Sequence, residues 1–257
     1  MMHFDGPPWL IAAAVEQEIE GIRAGIGARQ TPGDRHKNAW AGEWKGEPLL
    51  LVRTGVGPER AREGLAPFLP GEGCRGVVST GYAGGLRDGC RLGDMVVPEE
   101  VQSVPPLPAA SFRPDPVLRQ RVLERVRSGP WRVHTDRMIT SERVILSSAE
   151  KRQIGQEYDA GSVEMESAVI AELAEKASVP FVVIRVVLDE VSFTLPDVMD
   201  ILRWYRKKQF GKLIPYGVTH PCKLVELLRL LQRSRRASRS LSRLFLAHLL
   251  DGLVGNG

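Results

Sequence analysis

The sequence predicts an α/β fold, with one domain whose mixed, mostly parallel central sheet is flanked by helices, followed by a basic helical C-terminal extension. Short apolar runs alternate along the chain with helical segments, and this alternation is typical of parallel sheets covered by helices. The chain has 257 residues, of which 43% are hydrophobic and 26% charged, as expected for a soluble globular domain with a sizeable core. No internal repeat is visible.

Apolar runs bounded by glycine, proline or polar residues predict the strands. In chain order these runs are Trp9–Val15, Glu47–Thr54, Gly73–Thr80, Arg91–Val97, Arg132–Ile139 and Pro180–Leu188. Helices are predicted from Glu16 onward and over Glu59–Phe68, Pro116–Arg127 and Met165–Lys176. Pro58 suits the first turn of the second helix. The proline-rich segment Val101–Pro116 lacks periodicity and predicts a loop or insertion.

The charge is distributed unevenly. The net charge is +4, yet the segment from Arg203 to Arg243 holds 12 basic residues and one acid, Glu226, so it carries +11 and the remainder −7. This split predicts two units, an α/β domain over residues 1–200 and a basic helical extension over residues 201–257.

The extension has the pattern of a basic amphipathic helix. Its leucines recur at helical spacing, and several arginines share one side of the same helix; they are Leu224, Leu227, Leu228 and Leu231, with Arg229, Arg233, Arg236 and Arg243. A second apolar run, Leu241–Leu253, follows. Such a helix binds an anionic membrane surface in some proteins. Alternatively, it packs on the body or in an oligomer contact, with its arginines solvated.

Several classes of protein are disfavoured by what the sequence lacks. The three cysteines form no paired motif, so a reducing cytosol fits best. The histidines form no metal-binding motif, and we see no secretory signal and no run of about 18 apolar residues that would span a membrane. We therefore expect a cytoplasmic protein, peripheral at the inner membrane face if it is attached at all, with no metal, no cofactor and no nucleic-acid partner.

Two glycine-rich loops follow predicted strands. The first, Gly55-Val-Gly57, is not a complete dinucleotide fingerprint because Arg60 stands where the third glycine belongs. The second, Gly81-Tyr-Ala-Gly-Gly85, fits either a tight turn or a ligand cradle.

Three carboxylates occupy places where ligands bind in α/β sheets. Glu164 and Glu166 stand where a strand turns into a helix, and Asp189 ends the strongly apolar last strand. Ligand sites in such sheets lie at the carboxyl ends of strands. Burying a carboxylate is unfavourable unless it is paired, and the hydroxyls of a sugar and a ring nitrogen of a base are suitable partners.

Four motifs together resemble the nucleoside phosphorylase superfamily, in particular its nucleosidases that act on methylthioadenosine and adenosylhomocysteine. The motifs are Ala14-Val-Glu16-Gln-Glu18-Ile, Thr80–Leu86 with Leu92–Val97, Val163–Ala168, and Val179–Arg185 with Asp189. The resemblance implies an enzyme that cleaves the N-glycosidic bond of an adenine nucleoside, and it implies a homo-oligomer.

The resemblance also implies roles for single residues. Glu18 matches the acid that activates water, Glu166 the acid that holds the ribose hydroxyls and stabilises the sugar cation, and Asp189 the acid that protonates the purine at N7. The implied substrate-binding positions are Thr80, Gly81, Tyr82, Val144, Ile145, Glu164 and Met165. Separated carboxylates in different environments can divide these tasks.

Structural readings of these acids stay open. Glu18 also suits the first turn of a helix, Glu166 a helix cap, and Asp189 a turn at a strand end. Glu164 faces the ribose or supports the fold, and Arg185 is expected to pair with a carboxylate inside the body.

The sequence departs from the family in ways that bear on the reaction. Tyr82 and Leu188 stand where the nucleosidases commonly carry serine. Ser79 replaces an arginine that holds phosphate in hexameric purine nucleoside phosphorylases, which favours water as the nucleophile. Arg53 and Arg87 lie nearby in the sequence, so phosphate stays open as a co-substrate.

The C-terminal extension resembles that of the hopanoid-associated branch, the adenosylhopane nucleosidase or phosphorylase. This resemblance implies a lipid-linked adenine nucleoside as substrate and an anionic membrane surface as partner. One alternative is a soluble methylthioadenosine/adenosylhomocysteine nucleosidase or a purine nucleoside phosphorylase. Another is an inactive member that binds nucleic acid or acidic lipid through its tail, although Glu18, Glu166 and Asp189 are all retained.

Overall fold

The computed structural model describes residues 6–31, 37–69, 73–195 and 221–254, with the side chains of the last segment described over 228–253. Its strands are β1 Trp9–Ala13, β2 Arg29–Gln30, β3 Ala39–Trp44, β4 Glu47–Arg53, β5 Gly76–Gly85, β6 Met95–Val96, β7 Val101–Ser103, β8 Ala110–Phe112, β9 Val133–His134, β10 Met138–Thr140, β11 Ser162–Glu164 and β12 Phe181–Asp189. Its helices are α1 Glu16–Gly25, α2 Pro58–Leu65 with a 3₁₀ turn over Ala66–Phe68, α3 Pro116–Arg127, α4 Ser148–Glu157, α5 Ser167–Lys176, α6 Pro221–Leu244 with a π-helical segment over Phe245–Leu249, and α7 Leu250–Val254.

One mixed sheet contains all of these strands. Its order is β2-β3-β4-β1-β5-β11-β10-β7-β8, and β12 pairs with both β5 and β6, while β9 pairs with β6. The central strands β4, β1, β5 and β12 run parallel, whereas β11 is antiparallel to β5. The α/β class and the mixed, mostly parallel sheet predicted from the sequence are confirmed.

Helices cover both faces of the sheet. On one face α2 and α5 pack together, and the buried side chains of Leu65 and Ile170 join those of the strands. On the other face the core includes Ile19 of α1, Leu118 of α3 and a set of side chains from the C-terminal helices. That set is Ala237, Leu241, Leu244, Phe245, Leu249, Leu250 and Leu253.

The C-terminal half of the predicted extension is therefore integral to the body. Side chains such as Leu241 and Phe245 are completely buried against it. Asp251 of α7 also accepts a 2.6 Å hydrogen bond from the indole of Trp44 and pairs with Lys45 at the β3–β4 turn. Of the two readings left open by the sequence, packing on the body holds for this half. The boundary at residue 201 lies outside the described residues and stays a prediction.

Several predicted boundaries differ from the structure. β5 continues through the glycine loop to Gly85, because β12 and β11 supply hydrogen-bonding partners along it. The strand predicted over Arg91–Val97 is only two residues long, and Arg132–Ile139 divides between β9 and β10. The segment predicted as a loop contains the short antiparallel pair of β7 and β8.

Helix α4 was not predicted because its sequence is largely polar. Only Lys151 and Gly155 are buried among its residues, so no apolar stripe marks its period. The available signal was the start of the helix: Ser147 accepts a hydrogen bond from the backbone N–H of Glu150. A serine followed three residues later by a glutamate is typical of a helix N-terminus. Strands β2 and β3 were also missed.

Within the residues that the structure describes, none of the helices combines the length and the apolar character needed to cross a bilayer.

The buried C-terminal helices generate a stability prediction. Leu241→Ala should lower the free energy of unfolding by about 2–5 kcal/mol, because it empties a fully buried position. Leu231→Ala on the same helix is the matched control; that side chain is 46% exposed, and the change should stay within about 0.5 kcal/mol. Urea unfolding measures both. Equal, small losses would contradict the packing of α6 on the body.

Candidate active site

The carboxyl ends of β1, β5, β11 and β12 surround one cavity of about 220 Å³. The predicted residues that line it are Glu18, Tyr82, Val144, Ile145, Glu164, Met165, Glu166 and Asp189. Further apolar lining comes from Val56, Val163, Leu188 and Leu195. Residues from widely separated parts of the sequence thus meet at one edge of the sheet, as the strand-end argument predicts.

Glu18 is held by backbone donors at the start of α1. Its Oε2 accepts hydrogen bonds from the N–H groups of Ala14 (2.8 Å) and Val15 (3.0 Å), and its Oε1 from Tyr82 N–H (2.9 Å). Burial raises the pKa of the Glu18 carboxyl, while these backbone donors and Arg185 oppose the rise. Glu18 is therefore a buried, oriented carboxyl rather than a solvated first-turn acid.

Gly81 makes room for this carboxyl. It has φ +143°, and a Cβ at this position would lie 2.5 Å from Glu18 Oε1. A side chain here would displace Glu18 and strain the backbone. Gly81 does not line the cavity, so its place in the site is to admit Glu18.

Glu164 forms the centre of a buried polar network. Its two oxygens accept hydrogen bonds from Thr140 Oγ1 (2.5 Å), Ser167 Oγ (2.9 Å), Arg185 Nη2 (2.7 Å) and the N–H groups of Glu166 and Ser167. It is Glu164, not Glu166, whose side chain binds the free N–H groups at the start of α5. Glu164 lines the cavity, and both of its oxygens already accept hydrogen bonds from the protein. These contacts favour the supporting role among its two predicted alternatives.

Among the described residues, Glu166 has one hydrogen-bond donor, the backbone N–H of Gly57, at 2.8 Å from Oε1. Burial and the nearby Glu164 carboxylate raise the pKa of Glu166 to about 8, and Arg185 opposes the rise. The side chain makes no helix cap. It thus faces the cavity with acceptor capacity that the protein does not use.

Asp189 projects from a bulge in β12, where the register with β5 shifts between Val187 and Asp189. Its Oδ2 forms a buried ion pair with Lys151 Nζ. Burial raises the pKa of the Asp189 carboxyl, and Lys151 opposes the rise. Lys151 belongs to the unpredicted helix α4, so sequence reasoning missed it entirely.

Arg185 is buried at the base of the site. Its Nη2 donates to Glu164, to Ser79 Oγ (3.0 Å) and to Ser167 Oγ (2.8 Å), which confirms the expected pairing with an internal carboxylate. Its Nε and Nη1 are buried without a hydrogen-bond partner among the described residues, and so is Thr80 Oγ1. Buried polar atoms of this kind are usually satisfied by ordered water. Thr80 itself does not line the cavity.

The two arginines that left phosphate possible as a co-substrate form ion pairs away from the cavity. Arg53 pairs with Glu16, and Arg87 pairs with Asp136 and Asp159. Neither lines the cavity. Within the described ranges, no group of three histidine, cysteine or acidic side chains is placed to hold a metal ion.

Comparison with known proteins identifies the family. Residues 9–212 match the Phosphorylase superfamily. The chain belongs to this superfamily. It is a nucleosidase-like enzyme. The chain is 29% identical over 198 residues to the 5'-methylthioadenosine/S-adenosylhomocysteine nucleosidase of Actinobacillus succinogenes. The alignment covers 70% of this chain and 84% of that protein.

Solved structures share the fold. The nucleosidase of the same name from Helicobacter pylori superposes with a TM-score of 0.74 at 15% identity, covering 96% of this chain and 99% of that one. Futalosine hydrolase from Helicobacter pylori gives 0.69 at 16% identity, covering 93% of this chain and 97% of that one. Since 96% of the chain is matched in the first case, the C-terminal helices lie largely within the shared fold. The division of the chain at residue 201 stays a prediction.

The two neighbouring glutamates should respond oppositely to neutralisation. Glu164→Gln should lower the free energy of unfolding by about 3–5 kcal/mol, because it leaves Arg185 as an uncompensated buried charge.

Glu166 has a raised pKa of about 8. The folded state therefore binds more protons than the unfolded state as pH rises from about 4.5 to 8, and the free energy of unfolding falls across that window.

Glu166→Gln removes the fall in the free energy of unfolding that accompanies ionisation of Glu166. At pH 9 it should be more stable than the unmodified protein by about 1 kcal/mol or more, because one unit of pKa shift corresponds to about 1.4 kcal/mol. Urea unfolding at pH 5 and pH 9 measures both variants. If Glu166→Gln is the more damaging change at pH 9, the assignment of the network to Glu164 is wrong.

Proposed function

We propose that the enzyme cleaves the N-glycosidic bond of an adenine nucleoside and releases adenine. The observation that carries this proposal is the meeting of Glu18, Glu166 and Asp189 around one cavity, each in a different environment. Breaking a C–N glycosidic bond requires a base for the nucleophile, stabilisation of a sugar cation and protonation of the leaving group. Three separated carboxyls can divide these tasks.

In this proposal each acid acts on a different part of the reacting system: the base, the ribose or the attacking water. Asp189 gives its proton to N7 of the base, and the electron pair of the C1′–N9 bond moves into the purine ring. Glu166 accepts hydrogen bonds from the ribose hydroxyls, which supply donors that the protein does not and so favour its ionised form. Glu18 takes the proton of the water that attacks C1′, and its raised pKa suits a base working near neutral pH.

The unpaired atoms of Arg185 support water as the nucleophile. Nε and Nη1 can donate to a buried water. Burial raises the pKa of Glu18, and the positive charge of Arg185 opposes that rise. A phosphate would instead add negative charge beside Glu18, Glu164 and Glu166, which already outnumber this single guanidinium. Arg185 does not itself line the cavity. Among the described residues the cations that line it are Arg143 and Lys151, which pair with Glu150 and Asp189. We therefore propose hydrolysis rather than phosphorolysis.

For the substrate we propose a lipid-linked adenine nucleoside, adenosylhopane, as the resemblance to the hopanoid-associated branch implies. The outward face of α6 supports it. We define this face by its exposed residues Leu228, Leu231, Arg235, Arg236, Arg239 and Arg243. No described carboxylate forms an ion pair with these arginines. Such a face, apolar at one end and basic along its length, suits an anionic membrane surface.

The alternative is a small, water-soluble nucleoside, because the relatives named above carry the name methylthioadenosine/adenosylhomocysteine nucleosidase. It differs from the first proposal only in the group attached at the 5′ position. The catalytic argument from the three acids is the same for both substrates.

A product assay tests the reaction. The purified protein is incubated with methylthioadenosine, adenosylhomocysteine and detergent-dispersed adenosylhopane, with and without phosphate. We expect adenine release with a free sugar as co-product at the same rate in both conditions. A rate that rises with phosphate, with a sugar 1-phosphate as product, would contradict hydrolysis.

In the same assay, Asp189→Asn and Glu166→Gln should each lower turnover by at least about 100-fold. Both changes preserve the size of the side chain, so circular dichroism should show an intact fold. Glu172→Gln, at an exposed pair with Arg62, is the control and should retain full turnover. Near-normal turnover of either active-site variant would overturn the assignment.

The outward face of α6 predicts salt-sensitive membrane binding. Replacing Arg235, Arg236 and Arg239 together by Gln should release the protein from anionic liposomes, because each arginine near such a surface contributes about 1 kcal/mol. Point changes are needed because truncation of the helix would remove buried core residues. The matched control replaces three exposed arginines elsewhere, Arg29, Arg121 and Arg127, with Gln.

Co-sedimentation at low and high salt measures the binding. Salt should weaken it, because exposed charges are screened. If both triple variants lose liposome binding to the same extent, net charge rather than this face drives the binding. No binding of the unmodified protein at low salt would remove the physical support for a lipid-linked substrate.

A further inference from the structure

Asp189 does not act alone, because a fully buried lysine contacts it. The side chains of Lys151 and Asp189 are 1% and 4% exposed. Besides Asp189 Oδ2, the Nζ of Lys151 contacts the backbone oxygens of Phe193 at 2.7 Å and Glu190 at 3.3 Å. An ammonium group has three donors and no acceptor. Three acceptors around Nζ therefore match the charged form of Lys151.

The ion pair leaves one oxygen of Asp189 for a ligand. Lys151 engages Oδ2, and no donor among the described residues contacts Oδ1. Gly84 lies against the same carboxyl, where a Cβ would be 3.2 Å from Oδ2 and 3.6 Å from Oδ1. The carboxyl is thus fixed on one side by Lys151 and remains open to the cavity, which Asp189 lines.

Stability alone does not account for a buried pair of this kind. Removing two charges from water costs several kcal/mol, and well-packed apolar replacements are often as stable. Lys151 also stands on a helix that is otherwise polar and solvent-facing, where only it and Gly155 are buried. Its one charged contact is the carboxyl at the leaving-group end of the cavity.

We propose that Lys151 is a positioning residue that sets the acidity of Asp189 and stabilises the carboxylate formed when Asp189 protonates the leaving base. This inference rests on the proposed function. In the step, the O–H bond of Asp189 breaks, an N–H bond forms at N7, and the electron pair of the C1′–N9 bond enters the purine. The carboxylate left behind lies against the ammonium of Lys151, which keeps its own proton throughout. Asp189 regains a proton from solvent after adenine leaves.

Opposing influences act on the acidity of Asp189. Burial raises its pKa and so retains the proton, Lys151 lowers the pKa, and two further charges contribute: Arg233 of α6 lowers it and Glu190 raises it. Arg233 also pairs with Glu190 at 2.7 Å, so these two largely offset each other. Lys151 is the charge in direct contact with the carboxyl.

The experiment compares Lys151→Met with Arg152→Met. Arg152 is the next residue on the same helix and pairs with Asp88 at the surface, so it is a matched control. With an adenine nucleoside, Lys151→Met should lower kcat at least about 10-fold, within the usual contribution of acid catalysis. Arg152→Met should leave kcat unchanged.

The pH profile separates this role from a merely structural one. Because Lys151 lowers the pKa of Asp189, its removal raises that pKa, and the alkaline limb of kcat, which reports the acid in the bound complex, should move to higher pH. Lys151→Gln should move the limb in the same direction, and it serves if the methionine variant does not fold. An unmoved limb in a folded, neutral variant would overturn the proposal.

A double-mutant cycle shows whether Lys151 acts through Asp189. In the Asp189→Asn background, Lys151→Met should cause no further loss of kcat. An unchanged loss in that background would overturn the proposal. If the unmodified enzyme releases no adenine, the proposed function itself fails. If it is active but Lys151→Met behaves like Arg152→Met, only the role of Lys151 fails.

Discussion

The buried ion pair between Arg185 and Glu164 is the interaction on which the active-site end of the sheet depends. Arg185 Nη2 and Glu164 Oε2 are 2.7 Å apart, and both side chains are almost fully shielded from water. Through Ser79 and Ser167 the pair joins β12, β11, β5 and the start of α5. Breaking such a pair leaves an uncompensated buried charge. The positions of the strand ends therefore depend on its remaining intact.

This pair also explains why two neighbouring glutamates differ so much. Glu164 meets a guanidinium, two hydroxyls and the backbone N–H groups of α5, so its negative charge is well compensated. Glu166 is left with the N–H of Gly57, and burial, together with the repulsion of Glu164, raises its pKa to about 8. A carboxyl kept unsatisfied by its surroundings is suited to bind a ligand that brings its own donors. The hydrogen-bond network around Glu164 stabilises the fold and so offsets the free-energy cost of the unsatisfied Glu166 carboxyl.

The sequence predicts the parts of this site that depend on local pattern. Apolar runs locate β1, β4, β5 and β12, and the carboxyl end of β12 places Asp189 at the cavity. Glu164 and Glu166 come instead from the junction of β11 and α5. The pattern does not reveal which glutamate supports the fold, because both follow the same strand and differ only in the direction of the side chain. The sequence pattern does not reveal Lys151 for another reason. It lies 38 residues before its partner, on a helix without an apolar stripe, and only the folded chain brings the two charges together.

The C-terminal helix contacts residues that line the cavity or neighbour it. Its basic composition suggested a separate unit, yet Ser234 contacts the hydroxyl of Tyr82, which lines the cavity. Arg233 lies over the ring of Phe193 and pairs with Glu190, the neighbour of Asp189. The inner side of α6 thus supports the part of the cavity near Asp189, while its outer side carries arginines that form no ion pair with a described carboxylate. The same helix that contacts Tyr82 and Glu190 on its inner side thus presents exposed arginines on its outer side.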